Sequence, residues 1–162
     1  MAATEKRKVE AVIRDAVLPV FASMNYDSVP LSKEDLASAE IRKSFPFGRV
    51  RKSVEGRIFQ AEVQIHRRDE RKVRVNFGSF SLGGIDHPVA GKVAAQDVWV
   101  HYLERYYALY KFPPLKIWFY LDINSTVGGG EPKGVRSLSN ALQEIDDLLE
   151  QGRKGRHVKT CG

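Results

Sequence analysis

The fold is decided by the stretch from Arg57 to Phe80, which reads RIFQAEVQIHRRDERKVRVNFGSF. Apolar and polar residues alternate in its first part, and the alternation resumes after a charged turn at residues 67–71. Side chains of a strand point to opposite faces in turn, so the pattern predicts a half-buried antiparallel hairpin with one polar, solvated face. The residues predicted on the polar face are Gln60, Glu62, Gln64, His66, Lys72, Arg74 and Asn76.

Helical patterns precede the hairpin. Apolar residues from about Glu5 to Met24 recur at helical spacing, and Pro19 late in that run predicts a kink or a break. Ser32 is a typical N-cap for a second helix that reaches about Lys43, because its side chain can accept a hydrogen bond from a free backbone N–H group.

The pattern after the hairpin predicts a helix from Asp97 to Phe112, stopped by two prolines, and then a central strand from Leu115 to Ile123. A flexible loop follows at Gly128 to Gly134, and a last helix runs from Ser139 to Gln151 with Gly152 as its C-cap. The sequence therefore predicts an α+β fold, an antiparallel sheet with amphipathic helices packed on one face. It is expected to form a single domain over residues 1–152, with a basic, disordered tail over residues 153–162.

Composition bounds the class of protein. A chain of 162 residues with 43% hydrophobic and 28% charged residues is typical of a globular domain with a continuous core. The one cysteine, Cys161, cannot form an internal disulfide, and the N-terminal residues form neither a signal core nor a membrane span. We therefore expect a cytoplasmic protein.

The net charge is +6, from 26 basic and 20 acidic side chains. This balance permits binding to a polyanion, because each phosphate contact releases counterions, and it is equally typical of a soluble protein with a positive surface.

The first half of the chain resembles a family of small uncharacterised bacterial α+β domains. The resemblance is carried by the helix end Leu18 to Tyr26 and by the strand end Val73 to Gly78, which closes with an asparagine, an apolar residue and a glycine. The chain departs from that pattern in its extra helix from Ser32 to Lys43 and in Asn25, where a glycine is usual. The resemblance implies a fold class and carries no activity or catalytic residue.

Basic residues cluster between the second helix and the hairpin turn. Phe45 and Phe47 lie among them, as aromatic residues do on surfaces that stack single-stranded bases, although both rings could equally fill the core. The hairpin face likewise could follow a phosphate backbone or be an ordinary solvated face. The residues predicted to bind nucleic acid are Arg42, Lys43, Arg49, Arg51, Lys52, Arg67, Arg68, Arg71 and Arg74.

Catalytic and metal sites have weaker candidates. Glu62 on a strand could belong to a metal-dependent nuclease, but an upstream acid such as Asp27 or Glu55 would have to complete the site. Asp97, His101 and Glu104 would share a helix face, where a solvated charged face is the more common structure. The glycine-rich loop lacks the lysine and hydroxyl of a phosphate loop, so neither a metal nor a cofactor is expected.

The leading functional prediction is a non-enzymatic binding module for nucleic acid or another polyanion. The alternatives are an immunity-type module that docks an acidic protein and a magnesium-dependent nuclease centred on Glu62. A protein partner would call for an apolar patch near the hairpin, which the sequence does not obviously provide. A membrane is not expected as a partner.

Overall fold

The computed structural model describes residues 2–127 and 130–162. Its strands are β1 (Asp27–Val29), β2 (Arg49–Val54), β3 (Arg57–Ile65), β4 (Lys72–Ser81), β5 (Ile85–His87), β6 (Gly91–Val93), β7 (Tyr106–Leu109), β8 (Phe119–Tyr120), β9 (Asp122–Val127), β10 (Glu131–Lys133) and β11 (Val158–Cys161). Its helices are α1 (Ala2–Val12), α2 (Leu18–Ser23), α3 (Lys33–Ala37), α4 (Ala39–Ser44), α5 (Val135–Ala141) and α6 (Gln143–Gln151). The predicted α+β class is confirmed.

The main sheet is antiparallel and runs in the order β1-β2-β3-β4-β7-β11, with β8 paired to the Lys72 end of β4. The predicted hairpin forms as β3 and β4, with Val63 opposite Val75 and Glu62 opposite Asn76. Two further pairs, β5 with β6 and β9 with β10, stand outside this sheet.

One face of the sheet packs against helices. Residues that alternate along β3 and β4 meet the buried faces of α1, α2, α5 and α6, as the sequence pattern predicted. The largest fully buried side chains of this layer include Ile13, Phe21, Phe77, Leu138, Leu142 and Ile145. Among the described residues, none of the helices combines the length and apolar character needed to cross a membrane.

The first helix is interrupted where Pro19 predicted it. A π-helical turn at Ile13–Val17 separates α1 from α2, and the Leu18 N–H donates to the Ile13 carbonyl five residues back. Pro19 has no N–H to donate and its ring crowds the preceding turn, so the wider turn relieves a clash that a regular α-helix would keep.

The second helix is two short helices. Ser32 caps α3 as predicted: its Oγ accepts from the Asp35 N–H at 3.1 Å, while the Ser32 N–H donates to Asp35 Oδ2 at 3.0 Å. Ser38 then leaves helical geometry and caps α4 through the Ile41 N–H at 3.3 Å. The break arises because a serine side chain competes for backbone groups near helix ends.

The predicted helix from Asp97 to Phe112 is wrong. This region holds two 3₁₀ turns, at Ala95–Asp97 and Val100–Tyr102, and then β7, which lies between β4 and β11. A strand covered on both faces is a continuous apolar run, and its aromatic residues can imitate helical spacing.

The predicted central strand from Leu115 to Ile123 is also wrong. A 3₁₀ turn at Pro113–Leu115 opens this region, and Lys116 follows in the left-handed conformation with φ 51°. The extended residues divide between β8, a two-residue strand beside the end of β4, and β9 in a separate pair. Phe119 and Leu121 of this region enter the core, whereas Leu115, Ile117 and Tyr120 stay exposed.

The predicted disorder of the tail fails as well. Residues of β11 pair with β7 from Val158 opposite Leu109 to Cys161 opposite Tyr106, and His157 is buried. The predicted last helix, from Ser139 to Gln151, is instead divided between α5 and α6. Gly152 caps α6 at φ 71°, as predicted. Of the predicted loop at Gly128 to Gly134, Gly128 and Gly129 lie outside the described residues, while Glu131–Lys133 form β10. The division into one domain and a tail otherwise stays a prediction.

Candidate nucleic-acid interface

The polar face of the hairpin, predicted to be solvated, is divided into a closed end and an open end. Gln60, Glu62 and Asn76 are buried beneath residues 94–103, which we call the covering segment. Gln64 and Arg74, closer to the hairpin turn, are only half-buried. The prediction of an exposed face therefore fails at one end and holds in part at the other.

Backbone groups of the covering segment hold it against the closed end. The Val98 carbonyl accepts from Gln60 Nε2 at 2.8 Å and from Arg49 Nη1 at 3.1 Å, and the Val100 N–H donates to Glu62 Oε2 at 2.8 Å. Arg51 adds bonds from Nη2 to the Ala95 carbonyl at 2.7 Å and from Nε to Gln60 Oε1 at 2.5 Å. Polar side chains of the sheet thus replace the strand partners that this irregular backbone lacks.

Close packing seals the same end. A Cβ atom at Gly78 would lie 2.8 Å from Leu103 Cδ1, so a larger residue here would require the Leu103 side chain to shift. Ile58, Phe80 and Val98 form a small apolar cluster beside it. The closed end is therefore a second core, polar in its middle and apolar at its margin.

Glu62 is the most perturbed carboxylate of the closed end. Burial raises its pKa to about 7, against the lowering effect of the Val100 N–H and Gln60 hydrogen bonds and the Arg49 charge. Its Oε1 atom has no hydrogen-bond partner, and neither has Oδ1 of Asn76. These two residues lie directly opposite each other across β3 and β4, so a proton on Glu62 would offer a donor where the face now presents two acceptors.

Three residues predicted to bind nucleic acid instead hold the fold. Arg49 is 4% exposed, lies 4.7 Å from the Trp99 ring centre and pairs with Asp35 at 3.5 Å. Lys52 pairs with Asp146 at 2.7 Å on the helix side of the sheet. Arg51 is bound to the covering segment, and burial lowers its pKa to about 10. All three are withdrawn from solvent and form no common surface.

The two phenylalanines of the basic segment also pack inward. Phe45 is buried with its ring centre 5.2 Å from that of Trp99. Phe47 is half-buried against the main core, and the Arg14 guanidinium lies 5.6 Å from its ring centre. Neither ring is a free stacking platform, in agreement with the alternative that both fill the core.

The open end of the polar face holds the basic concavity. This name denotes a cavity of about 510 Å³ lined by Lys43, Gln64, His66, Arg67, Arg68 and Trp118. Lys43, Arg67 and Arg68 are exposed residues that the sequence predicted to bind nucleic acid. Arg42 is exposed beside Lys43 on α4, and Arg71 pairs with Asp69 in the hairpin turn at 3.4 Å.

Trp118 is held in place by the strands beside it. Its ring centre lies 4.8 Å from the Arg74 guanidinium and 4.8 Å from the His66 ring, which meets it edge-on. Arg74 in turn donates to Gln64 Oε1 at 2.8 Å and bonds the Tyr110 hydroxyl. A guanidinium stacked on an aromatic ring and fixed by its own hydrogen bonds is a rigid support.

The polar side chains of the basic concavity present hydrogen-bond donors. Gln64 Oε1 already accepts from Arg74 and from Asn76 Nδ2 at 2.9 Å, which leaves the amide N–H groups of Gln64 for a ligand. His66 Nδ1 accepts from the backbone N–H groups of Arg68 at 3.1 Å and Asp69 at 3.3 Å, so the ring proton sits on Nε2. Partial burial and the charge of Lys72 lower the pKa of His66, which keeps this neutral form at pH 7. Among the described residues that line the concavity, none is acidic.

Sequence reasoning found the cations of this site and missed its aromatic centre. Trp118 falls within the predicted strand from Leu115 to Ile123 and Tyr110 within the predicted helix from Asp97 to Phe112, and neither element forms as predicted. The signal available in the sequence was the strand-like alternation around Trp118, but nothing in it indicated that this ring would meet His66 and Arg74.

The proposed catalytic and metal residues do not converge. Glu62 is enclosed, while Asp27 and Glu55 are exposed on β1 and in the turn after β2. Asp97, His101 and Glu104 share no helix, and within residues 2–127 and 130–162 no group of three or more His, Cys, Asp or Glu residues could hold a metal ion.

Comparison with protein-family models, curated proteins and solved structures found no match to the chain. The resemblance of its first half to small bacterial domains stays an expectation without support from these comparisons.

Proposed function

We propose that the protein binds nucleic acid or another polyanion, without catalysing a reaction on it, and does so through the basic concavity. The observation that carries this proposal is the donor-only lining: two arginines, a lysine, a glutamine amide and a histidine N–H surround one concave space. Phosphate and sulfate groups carry negative charge and hydrogen-bond acceptors, which is the complement of such a surface.

The distribution of charge supports the same proposal. Arg74 stands behind the concavity, and Arg71 lies over the Tyr120 ring at 5.2 Å on the adjoining edge. The nearest acid in the turn, Asp69, accepts from the backbone N–H and Nε of Arg71 and does not line the concavity. The turn keeps a net positive charge, from three arginines against Asp69 and Glu70, and neither acid lines the concavity.

The absence of catalysis is proposed from the placement of Glu62. Its carboxylate lies under the covering segment and is bound to Gln60 and the Val100 N–H, so a substrate cannot reach it without displacing that segment. We propose the cytoplasm as the setting, in keeping with the single cysteine.

A salt series of binding titrations tests the proposal. A labelled oligonucleotide should lose affinity between about 50 and 200 mM salt with a log–log slope of about 2 to 3, since three cations line the concavity. Replacing both arginines (Arg67→Ala with Arg68→Ala) should lower that slope by roughly 1.5 to 2, because each phosphate contact contributes just under one unit.

Lys92→Ala with Arg105→Ala is the matched control. Both residues are exposed, Lys92 within β6 and Arg105 just before β7, and this double variant has the same net charge as the test variant. It should keep the wild-type slope. A flat response of the wild-type protein, or equal losses in both double variants, would rule out the concavity as a polyanion site.

An acidic protein is a second candidate partner, favoured by exposed apolar residues beside the hairpin. Phe112, Leu115, Ile117 and Tyr120 are 48%, 70%, 47% and 41% exposed, and β8 ties their segment to β4. The sequence did not obviously provide an apolar patch near the hairpin, and these four exposed side chains are candidates for one. This candidate becomes the leading one if the oligonucleotide titration stays flat.

A further inference from the structure

A second cavity adjoins the basic concavity and shares one wall with it. This apolar cavity has a volume of about 590 Å³, and Trp118 lines both spaces. Ile117, Phe119 and Tyr120 form its other apolar walls, and Lys111 and Lys133 also line it. Trp118 is therefore the boundary between a space suited to anions and a space suited to flat apolar groups.

Trp118 contacts protein on the side of the hairpin, and Tyr120 next to it is exposed to a ligand. Arg74 and His66 fix the Trp118 ring from the side of the hairpin. Tyr120 is 41% exposed although it is aromatic and follows a buried Phe119. Exposed aromatic side chains beside arginines are the elements with which proteins hold unpaired bases.

We infer that the ligand is a single-stranded nucleic acid, with phosphates in the basic concavity and a base stacked against Trp118 at the mouth of the apolar cavity. This inference rests on the proposed function and narrows it. Phosphate contacts alone would accept any polyanion, whereas an adjoining apolar space distinguishes a strand whose bases are free to leave the stack.

A duplex does not fit the pair of cavities. The bases of a duplex are stacked and paired inside the helix. A duplex can therefore place phosphates in the basic concavity, but no exposed base face in the apolar cavity. A sulfated polysaccharide or inorganic polyphosphate has the same limitation. Among these polyanions, the single strand is the one that offers acceptor-rich phosphates together with unpaired flat bases.

The experiment compares three probes on the full chain: an oligothymidylate of about 12 nucleotides, the same strand paired with its complement, and inorganic polyphosphate. The single strand should bind about tenfold or more tightly than the duplex. Trp118→Ala should weaken single-strand binding by about five- to 150-fold, which is the loss typical of one stacking ring, and should change polyphosphate binding less than twofold. Trp118→Phe and Tyr120→Ala test the same contact with smaller changes to the fold.

Tryptophan emission supplies a second readout. Trp99 is 3% exposed and Trp118 is half-buried, so quenching by the single strand should disappear in Trp118→Phe and should not occur with polyphosphate. Equal affinity for single strand and duplex, or single-strand binding that is indifferent to Trp118 and Tyr120, would overturn this inference while leaving polyanion binding intact. Binding of none of the three probes would overturn the proposed function itself.

Discussion

The two ends of the polar hairpin face have similar residues nearby but differ in exposure. The closed end is covered by backbone, and the open end lines a cavity. At the closed end, Arg49 and Arg51 are bound to the carbonyls of residues 94–103, together with Gln60. At the open end, Arg67 and Arg68 face a cavity and the Gln64 amide has donors to spare. The difference is made by the covering segment, which reaches Gly78 and Asn76 but not the turn. Whether an arginine near this face is bound to backbone or left exposed depends on whether the covering segment lies above it.

The largest test of this comparison is Arg49→Ala. Removing Arg49 leaves the Val98 carbonyl and Asp35 with weaker partners and opens space against Trp99. Breaking one partner of a buried ion pair costs about 3 to 5 kcal/mol, so the free energy of unfolding should fall by about that amount in urea titrations. Arg67→Ala is the matched control and should change stability by less than about 0.5 kcal/mol. Equal stability of the two variants would contradict the claim that Arg49 stabilises the fold and Arg67 does not.

Glu62→Gln probes the closed end through pH. Burial raises the folded-state pKa of Glu62 to about 7, above its ordinary value, so the stability it contributes is complete below the unfolded pKa and is lost as pH rises through 7. Wild-type stability should therefore fall between about pH 5 and pH 8 by up to roughly 3 kcal/mol from this group. Glutamine is neutral throughout and can donate toward Asn76 Oδ1, so the variant should flatten the curve and be the more stable protein at pH 8. A variant that keeps the wild-type slope would assign the pH dependence to other groups.

Arg74→Lys tests the residue that lies between the closed and open ends, and it is expected to change stability least of the three variants. Lysine keeps the charge but loses the planar contact with Trp118 and the bonds to Gln64 and Tyr110. Stability should fall by about 1 kcal/mol, and the emission of Trp118 should shift toward that of a more solvated ring. Oligonucleotide affinity should weaken a few-fold, since the charge remains while the support of the ring is lost. An unchanged emission spectrum would show that Arg74 does not position Trp118.

Local patterns predicted the elements whose determinants lie within a few residues. The hairpin, the disruption at Pro19, the Ser32 cap and the Gly152 cap all follow from alternation or from one side chain acting on nearby backbone. Lys43, Arg67 and Arg68, which the sequence predicted to bind nucleic acid, are exposed, and their role in binding stays a prediction.

Long-range relations were not predictable in the same way. The Asp97 to Phe112 region folds as turns and a strand because β4 and β11 pair with β7 on either side, and β11 is distant in sequence. The burial of Glu62 depends on a hydrogen bond from the Val100 N–H, which lies 38 residues later in the chain. The pairing of Trp118 with His66 and Arg74 likewise exists only after β8 joins β4. A polar residue on an alternating strand does not reveal whether water or backbone will face it.

The position of β7 between β4 and β11 has a consequence for how the chain is made. Synthesis delivers β7 well before β11, and until β11 arrives the open side of β7 is an unpaired edge of backbone donors and acceptors. During that interval the nascent protein offers a ready template for pairing with another copy. Docking of β11 removes this template and leaves an edge of the same length that carries Lys159, whose charge disfavours pairing with another copy. The segment that looks most dispensable in the sequence is thus the one that protects the newly made sheet.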